Sequence, residues 1–242
     1  RQMKHMAPVG IKGLDLYCFI DGKWRFVNSA QPSGKTNQWQ IISGMNAAER
    51  EYMLYLPLYD GIHSLQIGVA APSHIGQPSL PYPDTRKPII FYGSSITQGA
   101  CASRPGMAAT NLIGRKLNVE TINLGFSGNA FIDYEVAEMM AHVDASAYVL
   151  DYVPNASPEQ ILEKTEKFVR ILREKHPDVP LIFVEDPIFP HSKFDLRMAK
   201  EIKDKNDAMN QAFSSLKKQG LKKIYLVKGR SLISANSEST VD

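Results

Sequence analysis

Pro88-Ile89-Ile90-Phe91-Tyr92-Gly93-Ser94-Ser95-Ile96-Thr97-Gln98-Gly99 is the stretch on which the fold turns. Its first five residues have the unbroken apolar character of a strand covered on both faces, as in a parallel sheet. They run directly into glycine and small hydroxyl residues, the chemistry of a strand-to-helix turn. Four more runs of the same kind follow at Glu120–Leu124, Ala147–Tyr152, Leu181–Val184 and Ile224–Val227. Between the later runs lie helices with readable ends. Ser157-Pro158-Glu159-Gln160 offers an N-cap serine, proline at the first helical position and glutamine at the third, so a helix is expected from there to about Lys175. The next helix places Met198, Ile202, Met209, Ala212 and Leu216 on one face and ends at Gly220, a residue suited to a left-handed cap. Five β-α repeats with right-handed crossovers predict an α/β fold: a flavodoxin-like, three-layer α/β/α domain with a five-stranded parallel sheet in the order 2-1-3-4-5.

The sequence ahead of this domain has a different character. Leu14–Ile20 and Lys23–Asn28 flank Asp21-Gly22, a dipeptide that favours the positive-φ turn of a tight hairpin. Glu51–Leu58 and Ile62–Ala70 flank Asp60-Gly61 in the same way, and the two hairpins together predict a small antiparallel β-sandwich. Ala71 to Pro88 then holds Pro72, Pro78, Pro81, Pro83 and Pro88, a connector that neither sheet nor helix accommodates. The expected domains are therefore residues 1–80 and 81–242.

The 242 residues include 28 Lys and Arg against 25 Asp and Glu, and no basic stripe suits a nucleic-acid backbone. No run of about 18 apolar residues is present, so a soluble chain without membrane insertion is expected. Cys18 and Cys101 match neither a disulfide framework nor a zinc spacing. The opening Arg1-Gln2-Met3-Lys4 has no signal-peptide pattern, so any export signal is expected either never to have been there or to have been removed already.

In an open parallel sheet ligands bind at the carboxyl ends of the strands, beside the switch point in strand order. Three loops reach that edge here: Gly93–Gly99, Gly125-Phe126-Ser127-Gly128-Asn129, and Val153-Pro154-Asn155-Ala156. They bring a serine, a glycine amide and an asparagine amide. Acyl transfer needs a hydroxyl nucleophile and donors aimed where charge builds on the carbonyl oxygen, roles open to Ser95, to the Ser95 and Gly128 N–H groups, and to the Asn155 side chain. Taken singly, each residue fits ordinary turn chemistry. The Gly-x-Ser-x-Gly elbow of α/β-hydrolases is absent, because Thr97 stands where its second glycine would be. An anion or flavin cradle on the first loop is the competing reading.

The first loop, Tyr92–Gly99, resembles the first block of the SGNH hydrolases, the GDSL esterase/lipase superfamily. Asn123–Gly128 resembles the second block and Val153–Asn155 the third, with Val153 and Pro154 departing from the usual context. Upstream, Gly13-Leu14-Asp15-Leu16-Tyr17 matches the Gly-x-Asp-Leu-Tyr motif of a β-domain that precedes one bacterial branch of the superfamily. The resemblance implies Ser95 as nucleophile, Ser95, Gly128 and Asn155 as the oxyanion hole, and neither metal nor other cofactor. The family's late Asp-x-x-His block is approached by Ser239-Thr240-Val241-Asp242. Asp242 is thereby expected to be the orienting carboxylate, and the histidine falls three positions past it, outside the sequence. A triad lacking one member keeps only roughly 10³ to 10⁴-fold acceleration over water.

Among the six histidines, His191 follows the fourth strand of the parallel sheet and is the best internal candidate for the site. Arg104 is a candidate contact for a polar substrate. Glu185 and Asp186, at the end of the same strand as His191, read as solvated or capping carboxylates. The resemblance further implies a secreted or periplasmic serine esterase acting on a short acyl group, an acetyl ester of a carbohydrate or other small molecule. A non-catalytic glycan binder on the same fold is the alternative to the esterase, alongside the flavin protein.

Overall fold

The computed structural model describes residues 4–79 and 87–233. Two compact units emerge. One comprises the described residues of Arg1–Thr85 together with Gly99–Asn118, the other those of Arg86–Gln98 and Val119–Asp242. The chain thus leaves the second unit just after the predicted nucleophile loop, contributes twenty residues to the first, and returns.

In the first unit, β1 (Leu14–Ile20) pairs antiparallel with β2 (Lys23–Ala30) on one side and β3 (Tyr52–Tyr55) on the other. Asp21 and Gly22 adopt φ of 53° and 71°, the double positive-φ turn that their sequence predicts. The second expected hairpin does not form, and Ile62–Ala70 carries no strand. The cause lies in the preceding residues. The N–H groups of Leu58, Tyr59 and Asp60 donate to carbonyls of Gly10 and Ile11 in the short helix α1 (Pro8–Lys12), and Lys12 pairs with Asp60 at 3.6 Å. Asp60-Gly61 therefore ends a docking segment rather than turning a hairpin, and Gly61 lacks positive φ.

The Asp15 of Gly13–Tyr17 is wholly buried. Its Oδ1 accepts from Ser29 Oγ at 2.6 Å, and its Oδ2 accepts from Arg104 at 2.8 Å and from the Gly106 N–H at 2.7 Å. The guanidinium groups of Arg104 and Arg115 lie 5.6 and 4.2 Å from the centroid of the Tyr17 ring. One carboxylate and one ring thus fasten the returning segment, including helix α3 (Ala109–Leu117), to the three-stranded sheet.

The second unit contains β4 (Ile89–Gly93), β5 (Thr121–Gly125), β6 (Ala147–Asp151), β7 (Leu181–Val184) and β8 (Ile224–Val227), all parallel and in the order β5-β4-β6-β7-β8. This is the predicted 2-1-3-4-5 order. The register aligns Gly93 with Gly125 on one side and Asp151 on the other, one row across the carboxyl edge of the sheet. Helices α4 (Tyr134–Met140), α5 (Pro158–Lys175) and α6 (Leu196–Lys218) help cover the apolar core that Ile90, Tyr92, Leu150, Phe168, Phe183 and Met209 share. Ser157 caps α5 as expected: its side chain accepts from the Gln160 N–H, and the Gln160 side chain accepts from the Ser157 N–H. Gly220, at φ 85°, follows α6. Among the described residues no helix is long and apolar enough to cross a membrane.

Candidate active site

The site grows from the end of an inner strand of the parallel sheet, β4. β4 stops at Gly93, Ser94 follows, and helix α2 (Ser95–Gln98) begins at once, so Ser95 occupies its first position and is half-buried. Glycine at 93 is forced by proximity: a Cβ there would lie 2.2 Å from Thr97 Oγ1 and 2.6 Å from the Asp151 carbonyl. Gly125 allows a second close approach, since a Cβ would sit 2.2 Å from the Gln98 nitrogen. Ser94 is buried, and its Oγ accepts from the Ile96 N–H at 3.2 Å, which makes it a structural residue of the turn.

Hydrogen bonds join the first loop to the second and to the end of β6 at this edge. The Phe126 N–H donates to Gly93 O at 2.8 Å, the Ser127 N–H to Gln98 Oε1 at 3.0 Å, and Asn123 Nδ2 to Thr97 O at 2.9 Å. On the other flank the Ser94 N–H donates to Asp151 O at 3.3 Å and Thr97 Oγ1 to Asp151 Oδ2 at 2.6 Å. Gly128 takes φ 71° in the turn closed by the Asn129 N–H on Phe126 O, and no heavy atom lies within 4 Å of where its Cβ would be. Its side is open.

Asn155 sits in the turn between β6 and the cap of α5, its N–H donating to Tyr152 O at 3.0 Å. Its Oδ1 accepts from the Ala130 N–H at 3.3 Å, in the same loop as Gly128. A backbone N–H can only donate, so this contact fixes which amide atom is oxygen. Among the described residues Nδ2 donates to nothing. The Ser95, Gly128 and Asn155 segments are therefore tied into one assembly.

Arg104 belongs to the first unit, where Asp15 and the Tyr17 hydroxyl take its donors and Phe26 lies 3.8 Å beneath its guanidinium. His191 is in the single turn Pro190–Lys193 after β7, with its ring 5.9 Å from that of Phe189. Asp242 lies outside the described residues.

Of the two roles expected from the sequence for Glu185 and Asp186, solvated or capping, the solvated one does not hold, since both are buried. Glu185 Oε1 accepts from Asn210 Nδ2 at 2.8 Å and Lys228 Nζ at 3.0 Å, and Oε2 accepts from the Gly229 N–H at 2.9 Å. The Asp186 N–H donates to Asn206 Oδ1 at 2.7 Å. These bonds bind the exits of β7 and β8 to α6.

Sequence reasoning also passed over Asp151. Burial drives its carboxyl up to about 7; the hydrogen bond from Thr97 opposes that rise and the charge of Asp186 adds to it. Its signal was the polar residue that closes an otherwise apolar strand.

Residues 86–242 match the model of the GDSL-like Lipase/Acylhydrolase family, and residues 1–75 that of the N-terminus of Esterase_SGNH_hydro-type. No match is found among curated proteins. The chain is similar to the crystal structure of a putative GDSL-like lipase from Bacteroides ovatus, at 41% identity and TM-score 0.95, over 100% of this chain and 71% of that one. It also superposes on a salicylyl-acyltransferase from a tetracycline biosynthetic pathway, at 16% identity and TM-score 0.69, over 94% of this chain and 64% of that one. A family two carbohydrate esterase from Clostridium thermocellum, solved with cellohexaose, aligns at 14% identity and TM-score 0.58, over 92% of this chain and 64% of that one. The last two likenesses are of fold.

Proposed function

The chain belongs to the GDSL-like lipase/acylhydrolase family, and on that footing we propose that it is a serine esterase that removes a short acyl group, an acetyl ester on a carbohydrate. Ser95 Oγ attacks the ester carbonyl carbon while its proton passes to a general base. The family pattern assigns that base to a histidine three positions after Asp242, with the Asp242 carboxylate orienting it. The oxyanion that forms is met by the N–H groups of Ser95 and Gly128 and by Asn155 Nδ2. Collapse breaks the bond to the alcohol, which takes the proton from the base, and water then hydrolyses the acyl-serine.

One observation carries this reading: the Ala130 N–H occupies Asn155 Oδ1 and so presents the donor end of the amide instead. An asparagine serving only the turn needs no such orientation. The carbohydrate and the short acyl group rest on the Gly-x-Asp-Leu-Tyr branch of the family and on the shared fold of a carbohydrate esterase. A secreted or periplasmic location belongs to the same reading.

The test compares wild type with Ser95→Ala on p-nitrophenyl acetate, longer p-nitrophenyl esters and acetylated oligosaccharides. Acetyl esters are hydrolysed fastest and the variant is inactive. Equal turnover by the variant would dismiss the nucleophile, and a preference for long acyl chains would dismiss the substrate class.

A further inference from the structure

We propose that Lys205 is a positioning residue for the oxyanion hole, acting through Asn155; this rests on the esterase reading above. The other buried residues of α6, Ile202, Ala208, Met209, Ala212 and Leu216, are all apolar, and Lys205 falls among them. It is itself only 9% exposed. Lysine is almost never buried unless it is paired, because its ammonium must give up water. An apolar side chain would fill this position without that penalty, so the reason for a lysine lies in what its head group reaches.

It reaches two groups. Nζ pairs with Glu201 at 2.7 Å, one helical turn back, and donates to the Pro154 carbonyl at 3.0 Å. That carbonyl belongs to the peptide plane whose N–H is that of Asn155. The N–H end of the same plane donates to Tyr152 O at 3.0 Å. Both ends of the plane are therefore held, one by the turn and one by a charge-assisted bond from another helix. With the backbone fixed on one side and Oδ1 fixed by Ala130 on the other, Nδ2 has little freedom left. Donors of this kind act through placement, since they stabilise the transition state only where the oxyanion forms.

A purely structural staple would lower stability without regard to Asn155. The experiment is therefore a double-mutant cycle of Lys205→Met with Asn155→Ala on acetyl-ester hydrolysis, with thermal midpoints recorded for each protein. Asn155→Ala alone is expected to lower kcat about 100-fold. Lys205→Met is expected to lower kcat about tenfold at nearly constant KM, the pattern of an interaction made in the transition state. In the Asn155→Ala background the same change should cost less than about twofold, because its target is gone. Lys205→Arg, which keeps a charged donor, recovers most of the activity.

An equal loss in both backgrounds, or an unchanged kcat, would overturn the proposal. Should Lys205→Met not fold, Lys205→Gln removes the charge, shortens the reach by one bond and is run through the same cycle with the same criteria. Ser95→Ala is measured alongside. If it stays active the esterase reading itself is wrong, whereas an inactive Ser95→Ala with additive Lys205 and Asn155 effects rejects only the assignment to Lys205.

Discussion

Thr97 Oγ1 donates to Asp151 Oδ2 at 2.6 Å, a side-chain bond between the helix that starts at Ser95 and the end of β6. Burial raises the Asp151 carboxyl from 3.8 to about 7, against the pull of the Thr97 bond and with the help of Asp186. The native state therefore holds this proton where the unfolded chain has released it. The resulting stability is complete below about pH 4 and is lost as pH rises through about 7. Asp151→Asn, which cannot ionise, should flatten the curve of thermal midpoint against pH between 4 and 7. An unchanged slope in the variant would show that Asp151 does not titrate in this range.

Asp15 receives three donors in the first unit while fully buried. Asp15→Ala removes at once the acceptor shared by the Arg104 guanidinium, the Ser29 hydroxyl and the Gly106 N–H, leaving Arg104, among the described residues, only the Tyr17 hydroxyl as acceptor. Breaking a buried pair from one side costs about 3–5 kcal/mol. Arg104→Met, which leaves Asp15 two of its donors and removes a charge that is partly exposed, should cost less. Urea unfolding of the two variants gives the ranking, and equal effects would count against Asp15 as the clamp.

Two glycines at the site separate collision from conformation. A Cβ at Gly125 meets Gln98 backbone atoms at 2.2 and 2.5 Å, so Gly125→Ala must displace α2 and Ser95 with it. The expected loss is about 3 kcal/mol, the upper end for overpacking, together with most of the activity. Gly128 has open space but a φ of 71°, so Gly128→Ala carries only the left-handed penalty of about 1–2 kcal/mol. Thermal melts of both variants check the order.

Local chemistry was legible in the sequence where neighbours along the chain determine the outcome. Asp21-Gly22 turns its hairpin, Ser157 and Gln160 cap each other, and the spacing of five apolar runs yields the sheet order. That the loops carrying Ser95, Gly128 and Asn155 share the carboxyl edge of the sheet was legible because successive parallel strands end there. What escaped depends on partners distant in sequence. Asp15 and Gly106 are 91 positions apart, and no local pattern announces that residues 99–118 join the first unit. Ile62–Ala70 alternates like a strand, yet Asp60 is drawn to α1 instead. Lys205 breaks the apolar spacing of α6, a polar residue at a core position whose reason appears only once Pro154 is seen opposite.

The central claim is that Ser95 is the nucleophile, and covalent capture tests it most directly. The intact protein is treated with a p-nitrophenyl alkylphosphonate, which transfers its phosphonyl group to an activated serine with release of p-nitrophenolate, and is then digested and mapped by mass spectrometry. The account predicts a single adduct on the peptide containing Ser95, absent in Ser95→Ala and slowed in Asn155→Ala. An adduct on another residue, or equal labelling of Ser95→Ala, would contradict it.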